Sequence, residues 1–137
     1  MPIVARQILT PEEGLRLSLT GKAELTVLSA NDPVFNAPLC QLSFSAGART
    51  FWQCASGGRI FLTLEGRGVI EQSGGIITAL TPKTVVRVHP GRWHWIGAAE
   101  DTPLTVLSML TNLPNNLLVY GEEVTEEAYL MALRREV

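Results

Sequence analysis

A chain of 137 residues is long enough for one domain with a real core and too short for two ordinary ones. Its apolar content is 46%, yet no apolar run approaches the ~18–20 residues of a membrane-spanning helix, so no membrane partner is expected. The formal charge of −2 is small and the basic residues are scattered rather than striped, which argues against nucleic-acid binding.

The first 22 residues read as an entry arm. They lack a basic segment leading into an apolar block, so no secretion signal is expected and the cytoplasm is the expected location. Thr10-Pro11-Glu12-Glu13 is a helix-start pattern, with a capping hydroxyl, Pro at the first helical position and Glu three residues after the cap. Gly14 follows at once, so about one turn is expected. Residues 23–111 read as a β-barrel. Ala23–Ser29 is rich in strand formers, and Asn31-Asp32-Pro33 signals a turn. Further strands are expected over Leu39–Phe44, Arg49–Gln53, Arg59–Leu64, Gly68–Gln72, Ile76–Leu80, Val85–Val88, His94–Ala98 and Leu104–Thr111. Gly- and Pro-containing turns join them, the pattern of an all-β sandwich or barrel. Residues 112–137 read as a loop and a C-terminal helix. Thr125 is the expected N-cap, Glu126 and Glu127 suit the positive end of the helix dipole, and Arg134 and Arg135 suit the other end. Val124 and Tyr129 stand at the positions of a hydrophobic staple, and Tyr129, Leu130, Leu133 and Val137 form an apolar stripe for packing.

The most informative stretch is Gly47–Gly68, GARTFWQCASGGRIFLTLEGRG. Gly47 is followed by five residues and then Gln53; Ala55 comes two later, Arg59 four beyond that, and Gly66 seven further on. With His, His and Glu or Gln at 53, 55 and 59 this is the first motif of the cupin superfamily. The second motif fits Lys83–His94, where Gly91 and His94 match, while Lys83 replaces a usual Gly and His89 a usual Pro. The chain most resembles small bacterial cupins of the manganese-dependent hydroxynitrile lyase and decarboxylase-associated type. Their "PGARTxWHxHPGGQ" and "PPGxxHWHGAAP" correspond to AGARTFWQCASGGR and HPGRWHWIGAAE here. Asp32-Pro33-Val34-Phe35 and Glu123–Tyr129 also resemble that group, so the similarity runs from about residue 30 to the end. It implies a double-stranded β-helix, a jelly-roll-like barrel, and a homodimer. The exposed apolar edge that Ala23–Ser29 would otherwise form supports the dimer.

The same resemblance implies a metal held by four side chains, of which only His94 remains. Ala55 cannot ligate, Gln53 is a feeble neutral ligand and Arg59 is a permanent cation, so no metal and no other cofactor is expected. Alternation along the strands puts Gln53, Arg59, Phe61 and Thr63 on one interior wall, with His94 and Ile96 opposite. This is an apolar pocket with one amide, one guanidinium and one imidazole, the make-up of a small-molecule site. Arg59 needs a partner: an anionic ligand such as a carboxylate, a pairing with Glu65 or Glu71, or water at the barrel mouth. His94 is either an acid/base catalyst or a hydrogen-bonded relic of the metal site. Cys54, between two inward positions, is expected to point away, and both Cys40 and Cys54 are expected as reduced thiols. Trp52, Trp93 and Trp95 are read as packing residues. Three functions stay open: a metal-free small-molecule binder, a metal-independent lyase, isomerase or decarboxylase-like enzyme using His94 and Arg59, and a structural or regulatory subunit with a vestigial pocket.

Overall fold

Side chains that alternate between inward and outward along twelve short strands build two antiparallel sheets facing one another. The computed structural model describes residues 18–30, 32, 34–35, 37–112 and 115–135. Sheet A holds β1 (Leu19–Thr20), β4 (Arg49–Thr50), β5 (Gln53–Ala55), β7 (Gly68–Gln72), β8 (Ile76–Leu80), β10 (Trp93–Ala98) and β12 (Leu118–Tyr120). Sheet B holds β2 (Ala23–Ser29), β3 (Leu39–Phe44), β6 (Arg59–Gly66), β9 (Val85–Val88) and β11 (Leu104–Leu110), in the order β2-β3-β11-β6-β9. Together they form the jelly-roll barrel that the turn pattern and the paired motifs anticipate. Among the described residues no helix is long and apolar enough to cross a membrane.

One core cluster fills the space between the sheets, with Leu42 and Phe44 of β3, Phe61 of β6, Ile70 of β7, Ile96 of β10 and Val106 of β11 all buried. Burial of such side chains is worth ~1.5–3 kcal/mol each and is the main force closing the sandwich. A second cluster lies outside sheet A, where Val69 and Trp95 pack against Val124, Tyr129 and Ala132 of the C-terminal segment. Its helix α1 spans Glu126–Arg135 and begins as expected: the Ala128 amide donates to Thr125 Oγ1 at 3.1 Å. Arg49 pins it to the barrel, donating to the Val124 carbonyl and to Glu126, with its guanidinium 4.5 Å over the Tyr129 ring. Gly66, at φ +86°, turns the chain between β6 and β7 directly against the Pro103 backbone, where a side chain has neither the space nor the φ.

Strand boundaries differ from the sequence reading in several places. The strand expected over Arg49–Gln53 is divided, because the Phe51 amide donates to the Ser18 carbonyl and the Trp52 amide to the Glu122 carbonyl instead of to a neighbouring strand. The second piece, β5, runs on through Ala55, which had read as the start of a turn. Within the segments read as arm and loop, β1 pairs with β4 and β12 pairs with β5, so strand structure extends from Leu19 to Tyr120. The helix start at Thr10–Glu13, together with Asn31, Pro33 and Val137, lies outside the described residues.

Candidate functional site

Cross-strand register brings the polar interior side chains to one end of the barrel. On sheet B, an inward row runs from Cys40 on β3 through Ser108 on β11 and Phe61 on β6 to Val86 on β9, with Arg59 in the adjoining row beside Leu110 and Val88. On sheet A, Gln53 stands opposite His94 on one side and Tyr120 on the other, and Gln72 also stands opposite His94. Apolar side chains, among them Phe44, Leu80, Ala98 and Leu104, close the other end. The site therefore comes from β3, β5, β6, β10, β11 and β12, six strands spread between Leu39 and Tyr120.

Arg59 is its centre. It is only 7% exposed, and among the described residues no carboxylate pairs with it. Its Nη1 donates to Gln53 Oε1 at 2.8 Å and to His94 Nε2 at 3.4 Å, and its Nη2 donates to Ser108 Oγ at 2.9 Å. One guanidinium face lies over the Phe61 ring, 4.5 Å from the centroid. A guanidinium has five N–H donors. Those three bonds use three of them, and the buried Nε–H has no acceptor. Burial pushes the Arg59 pKa down to about 10, with Tyr120 and Cys40 opposing, so it remains a cation at neutral pH. The sequence alternatives that send Arg59 to Glu65, Glu71 or water are thereby corrected. The head stays inside, Glu65 is exposed, and Glu71 accepts instead from Trp95 Nε1 at 3.0 Å.

His94 is fully buried, with its ring edge-on to Phe61. Its Nδ1 lies 3.1 Å from the Arg92 carbonyl oxygen, which can only accept, so Nδ1 carries the proton and Nε2 presents a lone pair to Arg59. Burial first, and then the Arg59 charge, push its pKa down to about 3. The ring is neutral at physiological pH and a weak base.

Of the residues singled out from sequence, Gln53, Arg59, Phe61 and His94 are brought together, but Gln53 lies beside His94 on sheet A and not on the Arg59 wall, because β5 pairs with β10 while β6 belongs to sheet B. Ile96 lies in the apolar cluster, its amide bonded to Thr50 Oγ1, and Thr63 is buried beside Val106 with an unpartnered hydroxyl; both sit deeper than the guanidinium. Cys54 lies between the buried Gln53 and Ala55 and is only partly buried, in register with Trp93 and Val119. Sequence reasoning missed Ser108, Cys40 and Tyr120. The one available signal was a hydroxyl at an inward position in the otherwise aliphatic run of β11. Cys40 is half-buried, and burial pushes its thiol up while Arg59 pulls it down.

The residues present do not fit a divalent metal ion. Ala55 offers a methyl group, and the Arg59 guanidinium engages both remaining donors, Gln53 Oε1 and His94 Nε2, from within the cluster. A cation there repels a second cation instead of ligating it.

Comparison with known proteins gives a consistent outcome. The chain is 34% identical over 104 residues to an (R)-mandelonitrile lyase of Granulicella tundricola, spanning 72% of this chain and 79% of that relative. Among solved structures, a cupin-like protein of Thermotoga maritima superposes with a TM-score of 0.80 at 31% identity, covering 84% of this chain and 87% of the other. A cupin-2 domain of Rhodospirillum rubrum superposes with a TM-score of 0.60 at 19% identity, over 85% and 80%, which bears on fold alone. No family model matches the sequence.

Proposed function

The chain belongs to the cupin superfamily, and from that premise we propose that its barrel binds a small organic carboxylate at Arg59, without a metal ion or other cofactor. One observation carries this reading: a guanidinium buried among neutral groups, with its Nε–H unpaired. A buried cation without a counter-charge costs several kcal/mol, and a carboxylate supplies both the missing charge and a flat acceptor matched to the guanidinium edge. Gln53 and His94 hold the guanidinium in place, Phe61 covers one face, and Thr63 and Ile96 lie beneath.

The test is a thermal-shift screen of small carboxylates against wild type, Arg59→Ala and Arg59→Lys. Carboxylates that stabilise wild type and neither variant support the site. If none stabilises wild type more than Arg59→Ala, the site does not bind anions.

A structural role is favoured by a different observation. Arg59 bonds Gln53 on β5, His94 on β10 and Ser108 on β11, and so ties the two sheets together. In that reading Arg59→Met lowers stability and no carboxylate shifts wild type. The enzymatic alternative draws on the lyase name of the Granulicella relative, with His94 as acid/base and Arg59 stabilising negative charge. It requires a substrate turned over by wild type and not by His94→Ala; a carboxylate bound at Arg59 would offset the lesser of the two causes that weaken His94 as a base, burial being the larger. The same reading takes the protein as a cytoplasmic homodimer.

A further inference from the structure

Resting on the carboxylate reading, we propose that the ligands of this site are small 2-hydroxy monocarboxylates. The carboxylate sits on the free edge of Arg59, and the neighbouring hydroxyl donates to His94 Nε2.

The pocket sets a donor beside an acceptor. Arg59 offers the unpaired Nε–H, while His94, its proton fixed on Nδ1 by the Arg92 carbonyl, offers Nε2, whose one lone pair is engaged only by the 3.4 Å contact from Arg59 Nη1 and passes to the ligand hydroxyl on binding. A plain carboxylate answers the first group and leaves the second facing a weak, long contact. A 2-hydroxy acid answers both, because its hydroxyl oxygen lies a hydrogen-bond length from its nearer carboxylate oxygen. A 2-oxo acid has the same shape and no proton to give, so its carbonyl oxygen opposes the Nε2 lone pair. The neutrality of the ring supports this ordering: burial and the Arg59 charge hold His94 far below its usual pKa.

Charge and shape narrow the class further. Among the described residues Arg59 is the one permanent cation in the cluster, so one anionic group is balanced and a second is not. The apolar side chains on the rows around the cluster are Phe61, Ala55 and Leu110, neighbours that suit a short apolar chain. Ser108 Oγ accepts from Arg59 Nη2, so its own hydrogen remains available to the second carboxylate oxygen.

The test compares lactate, propionate and pyruvate, and 2-hydroxybutyrate with butyrate, by isothermal titration calorimetry. Wild type is expected to bind each hydroxy acid about tenfold more tightly than its deoxy partner, the value of one good hydrogen bond, and pyruvate least well. In His94→Phe the lactate–propionate difference is expected to vanish, with both acids bound more weakly because His94 also steadies the guanidinium. Equal affinity for lactate and propionate in wild type, or tightest binding of pyruvate, overturns the hydroxy-acid class and leaves the carboxylate site standing. Absence of binding by all five overturns both. Because the ranking in wild type decides the matter alone, failure of the variant to fold does not rescue the proposal.

Discussion

His94 shows how much a single side chain is set by its surroundings. Held neutral with a pKa near 3 against an ordinary value near 6.5, it binds a proton more readily unfolded than folded. Its contribution to stability is therefore whole above about pH 6.5 and is lost as the pH falls toward 3, at a slope of up to about 1.4 kcal/mol per pH unit. Chemical denaturation of wild type and His94→Phe across that window should show the steeper acid loss in wild type; parallel profiles would mean that the ring is not held as described. Under the structural reading Arg59→Met lowers stability, since it strips Gln53, His94 and Ser108 of a shared donor; under the carboxylate reading removal of an unbalanced buried charge offsets that loss, and the same denaturation experiment tells the two apart. Gln53, Arg59 and His94 were legible in the sequence because motif spacing marks their positions. Ser108 was not: its place beside the guanidinium follows from the pairing of β11 with β6, which no local pattern encodes.

Among the elements, helix α1 depends on a few specific anchors. Tyr129 donates to the Ala98 carbonyl at 2.6 Å inside the second core cluster, so Tyr129→Phe should cost about 1–3 kcal/mol by leaving that buried oxygen unpaired. Thr125→Ala should cost about 1 kcal/mol through loss of the cap. Both are measurable as shifts in urea midpoint, with little change in ligand binding. Gly66→Ala should be worse than either. It forces a side chain into a left-handed backbone, at ~1–2 kcal/mol, and drives it against Pro103, so poor soluble expression is the expected result. The cap, the staple and the charged ends of this helix could all be read from sequence, since each is a local signal. The break at Phe51 and Trp52 could not, because it is made by amides reaching residues 33 and 70 positions away, Ser18 and Glu122.

At the level of the whole molecule, the two sheets have different outer surfaces. Helix α1 packs on sheet A. The outer face of sheet B carries Leu39, Ile60, Leu62, Leu107 and Met109, all partly exposed, with Val85 at 56% exposure. An apolar sheet face of this kind is a natural contact for a second copy, and the expected homodimer would place it there. Leu62→Glu combined with Val85→Glu should then yield a monomer by light scattering that keeps the binding properties of the barrel. A wild type that is already monomeric would remove the dimer from the account. The jelly-roll itself was visible in the sequence through regular turns and two spaced motifs. Ser108, Cys40 and Tyr120 were not, because they meet the motif residues only after the sheets have closed.

The grip of Arg59 on Gln53 and His94 also bears on how such a barrel changes hands between chemistries. Placing His at 53 or 55 alone would set an imidazole beside a guanidinium that already holds the lone pair of His94. Replacing Arg59 alone would free that lone pair while leaving too few ligands. A metal centre therefore has to be rebuilt as a block, and the single substitutions toward it should be individually unrewarding and collectively non-additive. In an engineering setting, this pocket sits in a local optimum that stepwise selection leaves with difficulty.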